Sequence, residues 1–83
     1  MPNKPKVTAD QRGALTFLAR AGRRGAIEAL MRARGFTANI LAHLVLVGFA
    51  TAQPEINNAG GRRIEVIRMR ITDAGRDALA AEG

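Results

Sequence analysis

The sequence predicts a small α+β fold made of three helices, a two-stranded β-hairpin and a short closing helix. Three observations predict it. Apolar residues recur at helical spacing through the first half of the chain, and two β-rich runs flank the glycine-rich turn Asn57-Asn58-Ala59-Gly60-Gly61. Polar caps and glycine stops also punctuate the helical segments. At 83 residues the chain forms one domain, of a size that hides only about 60% of its unfolded surface. Residues 1–7, with two prolines and two lysines and no periodicity, are expected to be a flexible basic arm, and residues 8–83 to be the folded domain.

The first helix is expected over Ala9–Ala21. Thr8-Ala9-Asp10-Gln11 matches a capping box, Ala14, Leu15, Phe17, Leu18 and Ala21 form its buried stripe, and Gly22 stops it. Gly25 frees the backbone to turn. A short second helix then carries Ile27, Leu30 and Met31 on its buried face and ends at Arg34. Gly35 closes that helix, Thr37 caps the next, and Phe36 and Leu41 have the spacing of a hydrophobic staple, which makes a corner of about three residues. This is the tight corner of a helix-turn-helix. The third helix is expected over residues 38–47, with Leu41 and Leu44 inward and Gly48 ending it. Residues 44–52 are β-rich as well, but the Thr37 cap and the Leu41/Leu44 spacing favour helix.

Residues 49–56 read as a strand in which Pro54 points to a sheet edge, residues 57–61 as the turn, and residues 62–71 as the returning strand. In that second strand Ile64 and Val66 point one way and Ile67, Met69 and Ile71 the other, with Arg68 and Arg70 opposite the latter; a bulge near Val66 is expected to reconcile the halves. Thr72 and Asp73 cap a final short helix carrying Ala78 and Leu79.

Composition narrows the chemistry. The chain has no Cys, Ser, Tyr or Trp and a single histidine, His43, which excludes disulfides, thiolate metal sites and serine nucleophiles. No constellation of carboxylates is recognisable, so no enzyme activity and no cofactor are expected. No apolar run is long enough for a membrane span or a secretory signal, so a cytoplasmic protein with no membrane partner is expected. The net charge of +6 comes from eleven Arg and two Lys. Residues 1–24 carry +5, residues 25–61 balance, residues 62–71 carry +3 and residues 72–83 carry −2. Two basic blocks around a neutral middle attract polyanions through counterion release. Arg23 and Arg24, beside the start of the second helix, are candidate phosphate contacts; the plain reading is a pair of solvated loop charges. RNA stays open on charge alone, although three Phe offer few stacking platforms for single strands.

The whole pattern after the arm resembles a winged helix-turn-helix domain, and within that fold the MarR-like bacterial transcriptional regulators. Leu44 followed by Gly48-Phe49 is similar to the end of that family's recognition helix, Gly60-Gly61-Arg62-Arg63 to its wing tip, and Ile71-Thr72-Asp73-Ala74-Gly75-Arg76 to its strand-to-helix junction. The resemblance implies binding of double-stranded DNA, with the third helix in the major groove and the wing on phosphate or minor groove. On that basis Thr37, Ala38, Asn39 and His43 fall at base-reading positions, Asn39 suited to adenine, while Arg62, Arg63 and Arg68 serve the wing. Val45, Leu46 and Val47 stand where such regulators place charged residues. They support an alternative reading, a winged-helix module whose third helix packs on a second copy or on another protein.

Overall fold

The computed structural model describes residues 7–82. Their order is helix α1 (Ala9–Ala21), a 3-10 turn (Gly22–Arg24), strand β1 (Ala26–Ile27), helices α2 (Glu28–Ala33) and α3 (Ala38–Leu46), strands β2 (Ala50–Ala59) and β3 (Arg62–Ile71), and helix α4 (Asp73–Glu82). An antiparallel sheet in the order β1-β3-β2 joins the helices in an α+β arrangement. The first six residues of the expected arm lie outside the described residues. Val7, its last, is buried in the core.

The capping box at the start of α1 is present in full. The Thr8 amide donates to Gln11 Oε1 and the Gln11 amide to Thr8 Oγ1, each at 3.1 Å. These bonds satisfy Gln11, a buried polar side chain, and they orient α1 so that Ala14, Leu15 and Leu18 enter the core with Met31, Leu41, Leu44, Ala50 and Met69. Helices α2 and α3 end alike. Phe36 N donates to Met31 O at 3.2 Å and Gly35 N to Arg32 O at 3.0 Å; Phe49 N donates to Leu44 O at 2.9 Å and Gly48 N to Val45 O at 3.1 Å. Both are Schellman closures, and both need a glycine in the left-handed region, supplied by Gly35 (φ 102°) and Gly48 (φ 85°). In each, the phenylalanine that follows packs against the core. Phe36 also meets Phe17 edge-on at 6.0 Å, with the Arg34 guanidinium 5.3 Å from the Phe17 ring centre, which ties the α2–α3 corner to α1.

Several expectations are corrected here. Leu30 does not face the core: it is 49% exposed, because α2 has only six residues and Met31 alone takes its buried position. Ile27 lies in β1, not in α2. Helix α3 stops at Leu46, with Val47 as its C-cap. The hairpin turn is shorter than residues 57–61, because pairing continues through Ala59↔Arg62 and leaves a two-residue turn at Gly60 and Gly61. Both have positive φ (59° and 77°), as a type I′ turn requires. No bulge interrupts β3. Its register with β2 runs unbroken from Ala50↔Ile71 to Ala59↔Arg62, so Ile64 and Val66 share a face with Arg68 and Arg70.

The third strand was absent from the sequence reading. Ala26 pairs with Met69 and Ile27 with Arg68. Gly25 makes this approach feasible, since a Cβ there would overlap the Met69 carbonyl. Beyond Ile67 the hairpin is two-stranded and leaves the body, giving an outline of 53 × 21 × 19 Å. At the other end of β3, Thr72 clasps the chain: its hydroxyl donates to Gly48 O at 2.6 Å and accepts from the Gly75 amide at 3.0 Å, while its own amide donates to Phe49 O. The junction at residues 71–76 thus fastens α4 to the end of α3.

Candidate nucleic-acid interface

Helix α3 is anchored from one side only. Leu41 and Leu44 are buried, and the Thr37 hydroxyl accepts from Ile40 N at 3.2 Å, which caps the helix and holds its first turn. Asn39, Ala42, His43 and Leu46, spaced at i, i+3, i+4 and i+7, therefore form one exposed stripe on the opposite side. Thr37 and Ala38 are exposed at its start. Of the apolar trio, Leu46 is 81% exposed and Val45 38%, whereas Val47 is half-buried at the helix end. An open depression of about 560 Å³ lies beside the corner, lined by Ala29, Arg32, Ala33, Gly35, Phe36, Thr37 and Ala38.

The six arginines of the 3-10 turn and the hairpin divide into two groups. Arg23, Arg24, Arg62 and Arg63 are exposed. Arg23 and Arg24 sit on the 3-10 turn, and the two-residue strand β1 lies between that turn and α2 in the chain. Arg62 and Arg63 are neighbours in a strand and thus lie on opposite faces of the hairpin, with Arg62 on the face of Arg68 and Arg70. Arg68 and Arg70 are internally engaged. Arg68 Nε donates to Glu55 Oε1 at 2.8 Å and Arg70 Nη2 to Glu55 Oε2 at 3.1 Å. The same two side chains reach the carbonyls of the 3-10 turn, Arg68 Nη1 to Arg24 O at 3.2 Å and Arg70 Nε to Arg23 O at 3.0 Å. Hydrogen bonds from Arg68 and then Arg70 hold the Glu55 carboxyl below its ordinary range.

Glu55 is thus the organising residue of this face, and it was missed in the sequence. The signal was there: an acidic residue in one strand of a hairpin and two arginines in the other. It becomes readable only once the register is known, because Glu55 pairs with Val66 and reaches its arginines diagonally. The network fastens the Arg23-Arg24 turn to the root of the hairpin, and Arg68, with a side chain only 16% exposed, acts as a brace.

Among the described residues no cluster of His, Asp or Glu could hold a metal ion, and no helix is long and apolar enough to cross a membrane. No family model matches the chain, and comparisons with curated proteins and with solved structures find no match.

Proposed function

We propose that the chain is a winged helix-turn-helix domain, similar to MarR-like bacterial transcriptional regulators, that binds double-stranded DNA in the cytoplasm. The observation that carries this reading is the pairing of a capped helix, α3, whose outer stripe is free, with four exposed arginines on two separate supports, the 3-10 turn and the hairpin tip. In this reading α3 enters the major groove, with Thr37, Ala38, Asn39 and His43 at its leading end. Arg62 and Arg63 follow phosphate or the minor groove, and Arg23 and Arg24 seat on the backbone. Arg68 contributes by holding Arg23 and Arg24 in place. A homodimer would read two half-sites about one helical turn apart.

The test is a salt titration of binding to duplex DNA. Each phosphate contact contributes a slope of about −0.9 in the logarithm of affinity against salt, so Arg62→Ala/Arg63→Ala should reduce the slope by about 2. An unchanged affinity and slope would remove the wing from the interface.

A second reading has its own support in the exposure of Leu46 and Val45, which favours packing of α3 on a second copy or another protein. Under it, Leu46→Glu dissociates the assembly; an unchanged mass by light scattering counts against it.

A further inference from the structure

Resting on the DNA-binding reading, we infer that α3 selects A·T base pairs. The major-groove edges differ in what they ask of a protein. Guanine offers two acceptors, met best by the forked or multiple donors of Arg and Lys, and cytosine offers an amino donor, met by a carboxylate. Adenine offers one acceptor and one donor side by side, met by an Asn or Gln amide, and thymine a methyl group, met by apolar side chains. Helix α3 has no Arg, Lys, Asp or Glu. Its exposed stripe thus lacks the groups that read G·C pairs most strongly; Asn39, Ala42 and Leu46 on it are of the kind that read A·T, while His43 can donate to the N7 that both purines offer.

Asn39 is the second residue of α3, and its side chain makes no hydrogen bond to any described residue, so amide donor and carbonyl acceptor are both free to meet adenine N7 and N6. Ala42 and Leu46 follow on the same stripe, and they place apolar surface where thymine methyls stand. From Asn39 to Leu46 the helix rises about 10 Å. For a helix lying along the groove this matches about three base-pair steps of 3.4 Å. The exposure of Leu46 is thereby explained as a reading surface. Arginines on phosphate supply affinity without sequence information, whereas a wing Arg in a narrow minor groove would add to the same preference, since A-tracts narrow that groove.

The experiment is selection of the full chain against random duplex DNA at near-physiological salt, followed by titration of the enriched duplex and of a G·C duplex of equal length. An A·T-rich element should emerge. Replacing its thymines by deoxyuridine, which keeps the pairing and removes only the methyl, should weaken binding about fourfold for each contacted methyl. Asn39→Ala, on an exposed position, should lower affinity for the A·T duplex by about 5- to 150-fold and leave the salt slope and the circular dichroism spectrum unchanged. Equal binding of A·T and G·C duplexes with a normal salt slope, or indifference to deoxyuridine, overturns A·T selection and leaves DNA binding standing. Failure to bind any duplex overturns both.

Discussion

At Gly75 a single methyl group decides whether α4 can dock. A Cβ there would run into the Phe49 carbonyl, and backbone does not yield as the tip of a side chain does. Gly75→Ala should therefore destabilise the domain by about 1–3 kcal/mol, measured by chemical denaturation, although alanine is the better helix former. Glu55 contributes a pH-dependent component to stability. Its pKa is lowered on folding, so its contribution is complete above its ordinary value of 4.5 and is lost as pH falls through the lower folded value. Denaturation across an acid series should show wild type losing this component as pH falls from 4.5 through the lower folded value and Glu55→Gln lacking it; identical acid limbs would refute the assignment. Residues with local roles were the legible ones: Thr8, Gln11, Thr37, Gly35 and Gly48 act within five positions of their partners, and sequence spacing displays that directly. Glu55 acts across 13 and 15 positions, and nothing local marks it.

At the level of elements, the same division holds. Helix α1 and strand β3 begin and end as read, because caps, a glycine stop and the two-glycine turn delimit them. Helix α2 could not be phased. Six residues make less than two turns, so Leu30 and Met31 were equally eligible for the core until β3 took its place beside Met31's helix. Strand β1, two residues long, has no periodicity to detect and exists because Gly25 lets it reach Met69. The long hairpin spans two environments. Its root pairs beside β1 and beneath the helices, while Ile56 and Ile64 farther out are 50% and 45% exposed. Amides at residues 56–66 should exchange with solvent faster than those at 50–53 and 68–71 by native-state hydrogen exchange. Uniform protection along the hairpin would contradict this.

The whole molecule rests on one core. Leu15, fully buried, and Leu46, 81% exposed, set its limits. Leu15→Ala should cost about 2–5 kcal/mol, a large part of the stability of so small a domain, whereas Leu46→Ala should stay within about 0.5 kcal/mol; thermal melts read both. That contrast separates a solvent-facing leucine from a packing residue of the same type. The projecting hairpin also gives the molecule an outline two and a half times as long as it is wide, 53 Å against 21 and 19 Å. An elongated body drags more solvent than a sphere of equal mass, so a single copy should elute from a sizing column ahead of compact standards of 8.9 kDa, in the direction of a dimer. The projecting hairpin thus also inflates the protein's hydrodynamic radius, and scattered light, which weighs the particle, is the measure of how many copies it holds.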